Sequence, residues 1–133
     1  MKKVYCATPS RFAKRKDEIC KYVVEMNKGF LPFHPFFAFP FEYYEGHPNV
    51  GREESMKICF DAVRDCNEFW LFGISKGCLQ ELSVAKKEKK IIRYFMNEFD
   101  PEWKKYYEQL GCDFGDPLKE LTQFIDNSVT YMT

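Results

Sequence analysis

The chain has 133 residues, enough for one domain with a buried core. Its twenty basic and twenty acidic side chains cancel, so no net charge draws it to a nucleic-acid polymer or an anionic membrane. No apolar run reaches the length of a membrane span, and Met1-Lys2-Lys3 leads straight into a short strand rather than a signal peptide. The six cysteines (Cys6, Cys20, Cys59, Cys66, Cys78, Cys112) form no Cys-x-x-Cys pair. Buried thiols in a reducing cytoplasm are the expectation. With only His34 and His47 beside them, no metal site is expected.

In chain order, Lys3–Ala7 reads as a first strand and Thr8-Pro9-Ser10 as a turn ending on a helix cap. A helix to about Asn27 should bury Phe12, Ile19, Cys20, Val23 and Val24, with Gly29 closing it. Lys14 and Lys16 suit a solvated face, whereas Arg11 lies near enough to the strand end to reach a phosphate. Phe30–His34 reads as a second strand at a sheet edge, because Pro32 cannot donate to a ladder. His34 is either a satisfied structural histidine or a pocket donor.

Residues 35–50 crowd Phe36, Phe37, Phe39, Phe41, Tyr43 and Tyr44 among three prolines. Such an aromatic loop would wall a base-binding pocket or form a subunit interface, and composition favours neither. A helix over Gly51–Cys66 follows, with Met56, Cys59, Phe60 and Val63 inward and Asp61 near the face towards the next strand.

The stretch Asn67–Ala85 organises the rest. Phe69-Trp70-Leu71-Phe72 is a short aromatic run suited to a strand, and Gly73 ends it. Ile74-Ser75-Lys76-Gly77 makes a glycine-bounded turn, and from Cys78 the spacing of Leu79, Leu82 and Ala85 is helical. A strand–loop–helix junction of this kind lies at the carboxyl edge of a parallel sheet, where ligands bind. Glu81 borders the inward stripe, while Lys86, Lys87, Lys89 and Lys90 mark the solvated face. A carboxylate so placed is a candidate nucleophile or acid/base, although acidic residues near helix N-termini also answer the backbone dipole.

Ile91–Phe95 is a fourth strand, and the alternation of strands and helices implies a parallel sheet. Asp100-Pro101 and Asp116-Pro117 start two tail helices, the first ending at Gly111. No Gly-x-Gly-x-x-Gly or Walker loop occurs, which argues against a dinucleotide dehydrogenase or a P-loop enzyme. The fold expected is a single Rossmann-like, three-layer α/β/α domain with a four- or five-stranded parallel sheet. Its core spans 2–95 and a helical tail spans 100–130.

The string Trp70-Leu71-Phe72-Gly73, then Ser75-Lys76-Gly77, Glu81 and Ala85, resembles the core motif of the nucleoside 2-deoxyribosyltransferase superfamily. That superfamily includes nucleoside 5′-monophosphate N-hydrolases, and the likeness is greatest to a group of small bacterial and phage proteins within it. The resemblance covers about 2–95 and implies a nucleophile, Glu81, that attacks the anomeric carbon of a (deoxy)ribose. It implies Ser75 at the 5′-phosphate, Gly77 where backbone approaches the ligand, and Tyr5 bonded to the nucleophile. Thr8 would be a small polar contact, and Asp61 an acid near base and sugar. Arg11, His34 and Gly73 complete the expected substrate-binding set.

The chain departs from the motif at Leu82, where the family often has glycine, and at Lys76 in the loop. The short spacing after Asp61 also leaves Cys59 as an alternative in its place. The function implied is cleavage or transfer of the N-glycosidic bond of a nucleoside or nucleotide, without a cofactor, in a protein that self-associates. A non-catalytic nucleotide sensor, an NAD-type glycohydrolase and a structural partner protein are the alternatives.

Overall fold

The computed structural model describes residues 1–26 and 28–110, with the side chains of residues 41 and 42 left aside. Four strands form one parallel sheet: β1 (Lys2–Ala7), β2 (Phe30–Phe33), β3 (Glu68–Leu71) and β4 (Ile91–Tyr94). Their order is β2-β1-β3-β4. Among the described residues seven α-helices accompany them: α1 (Lys16–Met26), α2 (Pro35–Ala38), α3 (Phe41–Glu45), α4 (Gly51–Asp65), α5 (Lys76–Lys87), α6 (Met96–Phe99) and α7 (Trp103–Leu110).

The period of two along the central strands sorts the core into two layers. Val4, Cys6, Trp70 and Phe72 face one side and pack on Ile19 and Val23 of α1. Tyr5, Ala7, Phe69 and Leu71 face the other and pack on α4, α5 and Trp103 of α7. Both central strands are covered on both faces, which is why β3 is buried along its whole length and reads from Phe69 onward as a continuous apolar run. The edge strand β2 carries Pro32 within it, as its missing N–H allows. The architecture is a Rossmann-like three-layer α/β/α fold. Among the described residues no helix is long and apolar enough to cross a membrane.

The topology also says where a ligand would sit. From β1 the chain runs out to β2, and from β3 it runs the opposite way to β4. The crevice outside the carboxyl ends of β1 and β3 is therefore a topological switch point, the usual ligand position in open α/β sheets.

Several local expectations are corrected. The first helix is not continuous: Ser10–Arg15 is a 3-10 segment with non-helical angles at Phe12, and α1 starts only at Lys16. Ser10 is not a cap, because Pro9 holds that position and makes no side-chain bond. Val24 is exposed rather than buried, and Asn27, the expected helix end, lies outside the described residues. The aromatic loop contains two short helices, the first with His34 as its cap and Pro35 at its first position. Asp100 does not cap the tail helix; its carboxylate instead accepts from the Ile74 N–H at 3.2 Å. The predicted stop at Gly111, Cys112 and the helix after Asp116-Pro117 lie outside the described residues.

Candidate active site

The site starts from α5. Ser75 has extended backbone angles, and its Oγ accepts the Cys78 N–H at 3.1 Å, which fixes where the helix begins. From that start Cys78, Leu79, Leu82 and Ala85 fall on the buried stripe, and Glu81 falls among them, only 5 % exposed. Tyr5 reaches it from β1, its ring stacked between those of Phe33 and Phe69 at centroid distances of 6.0 and 5.7 Å. The Tyr5 hydroxyl donates to Glu81 Oε2.

Removing a carboxylate from water penalises its charged form. Burial accordingly pushes the Glu81 carboxyl up to about 7, against the opposing pull of the Tyr5 hydroxyl and the Arg52 charge. Burial, and then the Glu81 charge, holds the Tyr5 phenol well above its usual range, so Tyr5 remains a donor at neutral pH. The same two causes push the Cys59 thiol up to about 12 and raise Cys78. Neither thiol is a thiolate near neutrality, which makes Glu81 the better nucleophile of the group.

Glu81 opens onto a cavity of about 240 Å³ at the switch point. Thr8 and Ser10 form its wall beyond β1, and Pro35 and Phe36 bring the start of α2. One face of α4 contributes Arg52, Ser55, Met56 and Cys59, while α5 supplies Ser75, Lys76, Gly77 and Cys78. Glu45 of α3 closes the circle and pairs with Arg52 at 2.6 Å. The aromatic segment is thus split: Phe36 faces the cavity, while Phe37 and Tyr43 are exposed.

His34 holds this segment in place without lining the cavity. Its Nδ1 accepts the Phe36 N–H at 3.2 Å. Burial, then the Lys16 charge, lowers its pKa to about 4, so the ring is neutral and Nε2 carries the proton. Nε2–H then donates to Thr8 Oγ1 at 3.0 Å, and Thr8 donates on to the Cys6 carbonyl at 3.2 Å. A pocket wall on α2 is tied in this way to the end of β1.

The structure brings Glu81, Tyr5, Thr8, Ser75 and Gly77 together, and sets three other expected residues apart. Asp61 is exposed and pairs with Arg64 at 2.9 Å, because two residues along α4 from Cys59 is a turn of about 200°. Arg11 is locked as a strut: Nη1 donates to the Ile74 carbonyl at 2.6 Å and Nη2 pairs with Asp100. Its guanidinium also lies 3.7 Å from the Tyr106 ring centroid, and it does not line the cavity. Gly73 serves packing, since a Cβ there would lie 2.6 Å from Pro9 Cγ.

Arg52, Ser55 and Glu45 went unread in the sequence. The signal for the first two was present: Arg52, Ser55, Met56 and Cys59 recur at helical spacing along one face of α4. Among the described residues no group of three or more His, Cys, Asp or Glu side chains could hold a metal ion.

No curated protein matches the sequence. A family model described as a domain of unknown function (DUF7768) matches residues 3–95, the span from β1 to the end of β4 that includes every residue lining the cavity. The chain therefore belongs to this family of domains of unknown function (DUF7768).

Proposed function

We propose that the protein breaks the N-glycosidic bond of a nucleoside or nucleoside 5′-monophosphate, with Glu81 as nucleophile and water or a second base as acceptor. The observation that carries the reading is one buried carboxyl, raised to about 7, held by Tyr5 and facing a cavity at the switch point of the sheet. The resemblance of the Trp70-to-Ala85 string to the nucleoside 2-deoxyribosyltransferase superfamily supports it.

Breaking an N-glycosidic bond develops positive charge on the sugar, which a nearby carboxylate stabilises or captures. With Oε2 bonded to Tyr5, Oε1 is the attacking oxygen. It forms an ester to C1′ as the C1′–N bond breaks and its electron pair passes to the base, which takes a proton from water. Asp61, on the solvent side of α4, is too far round the helix to serve as that acid. Attack of water or a second base on C1′ then breaks the ester and returns the Glu81 carboxylate, with overall retention, as in retaining glycosidases.

Ser75 supports a 5′-monophosphate over a nucleoside. Its oxygen is engaged by the Cys78 N–H, which leaves its O–H to donate to a phosphate oxygen. The test is to incubate the protein with nucleosides and their 5′-monophosphates and look for free base by chromatography. Release that is lost in Glu81→Gln supports the reading; no release from any of them, or full activity in Glu81→Gln, refutes it.

A further inference from the structure

We infer that Arg52 is the specificity-determining residue of the cavity, taking an anionic oxygen group of the ligand, and that Glu45 competes for the same guanidinium as an internal stand-in for that anion. The ligand's identity as a nucleotide rests on the function proposed above; the anion contact itself rests on geometry.

Three observations lead to it. First, Arg52 occupies the inward face of α4, in line with Ser55 and Cys59, and so presents a guanidinium to the cavity rather than only to solvent. Secondly, its seat is made by a missing side chain. A Cβ at Gly77 would lie 3.3 Å from Arg52 Nη2 and 3.7 Å from Met56 Cε, so any other residue there would press on the guanidinium. Gly77 does not need left-handed backbone, being inside the first turn of α5; a side chain there would displace the Arg52 tip by a few tenths of an ångström from its present seat.

Thirdly, the guanidinium is only half committed. Glu45 Oε1 takes Nη1 at 2.6 Å, and among the described residues Nη2 has no acceptor. A guanidinium fork fits the paired oxygens of a carboxylate or a phosphate equally well. The Arg52 and Glu45 side chains are 50 % and 29 % exposed, so the pair is a weak one that an incoming oxyanion can exchange. Lys76, exposed on the rim of the same cavity, adds a second positive charge and favours an anion of more than one charge. A phosphate monoester meets that description better than a carboxylate.

Arg52 also reaches the reacting end electrostatically, since its charge favours the ionised form of Glu81. A phosphate that replaces Glu45 on the guanidinium exchanges one anion for another and leaves that support broadly in place. Arg52→Gln removes it altogether. The variant should therefore lose its preference for phosphorylated ligands and raise the Glu81 pKa together, which a merely structural arginine would not do.

The test follows the side-chain Nε–Hε signal of Arg52 by NMR in the isotope-labelled protein, assigned by its loss in Arg52→Lys. Inorganic phosphate and a panel of nucleosides with their 5′-monophosphates are titrated in turn. The signal should move with phosphate and the monophosphates but not with the nucleosides. Glu45→Gln should tighten phosphate binding by about two- to five-fold, the scale of an exposed ion pair removed as competitor. Gly77→Ala should weaken it. An Arg52 signal indifferent to phosphate in the unaltered protein, or weaker phosphate binding in Glu45→Gln, overturns the inference. Base release without an Arg52 response rejects the inference alone; an Arg52 response without base release supports it and rejects only the N-glycosidic reading.

Discussion

Among the described residues two glutamates are buried, at opposite ends of the sheet, and they are held in opposite ways. Glu68, at the amino end of β3, is 1 % exposed and surrounded by cationic and polar donors. Its Oε1 accepts from Trp70 Nε1 at 3.0 Å and Arg93 Nε at 2.9 Å, and Lys2 Nζ lies 3.8 Å from Oε2. Glu81, at the carboxyl end, has one neutral donor, Tyr5, and a cation, Arg52, that acts on it by charge without a hydrogen bond among the described residues. Burial is nearly equal at the two sites. What differs is compensation: Glu68 has two donors on Oε1 and cations beside it, although its Oε2 has no hydrogen-bond partner among the described residues, whereas Glu81 is left raised to about 7 beside an opening. An under-compensated acid on a cavity is the arrangement that chemistry can use.

Removing each acid should separate the two most widely. Glu68→Ala leaves Arg93 partly buried without its partner and should destabilise the fold by about 3 kcal/mol, measured by urea unfolding. Glu81→Gln should do the reverse at pH 8, where it removes a buried charge while keeping an acceptor for Tyr5. A pKa moved from 4.5 to about 7 corresponds to about 3 kcal/mol of stability gained by the amide. Base release should meanwhile fall by about a thousandfold or more in that variant.

The sign follows from linkage. The raised carboxyl favours the folded state while it is protonated, a contribution fully present below about pH 4.5 and lost as pH rises through about 7. The gap between Glu81→Gln and the unaltered protein should therefore open between those values and stay constant above them. Activity should run the other way, rising with pH to a plateau above about 7, because the proposed nucleophile is the carboxylate.

Tyr5→Phe sharpens the comparison by stripping Glu81 of its only hydrogen-bond donor among the described residues. The midpoint of the pH–rate profile should move up by about one unit, with a partial loss of activity. Smallest of all is Asp61→Asn, which touches an exposed pair with Arg64. It should change stability by less than about 0.5 kcal/mol and leave base release intact.

The parts of this site that the sequence made legible are local ones. The spacing of Leu79, Leu82 and Ala85 puts Glu81 beside the inward stripe, although the sequence reads Ile74–Gly77 as a turn where Ser75 in fact caps a helix that starts at Lys76. The β-α alternation and the continuous apolar run of β3 give the parallel sheet in the same way. What could not be read depends on partners distant in sequence. Arg11 looks like a free cation near a strand end until Asp100, 89 residues on, folds back to claim it. Gly73 looks like a ligand contact until Pro9 is seen against it. Asp61 was a different kind of error, since helical phase alone sets it apart from Cys59 and Val63 on the inner face. Arg52 was overlooked because an arginine in the first turn of a helix reads as solvated unless its seat, Gly77, is known.

The most direct measurement is the mass of the intact protein after brief incubation with 2′-fluoro nucleoside 5′-monophosphates, whose electron-poor sugars slow turnover of a glycosyl ester. The account predicts an added pentosyl phosphate that maps to the peptide containing Glu81 and is missing from Glu81→Gln. Free base released with no sugar on Glu81, or an adduct that persists in Glu81→Gln, would contradict it.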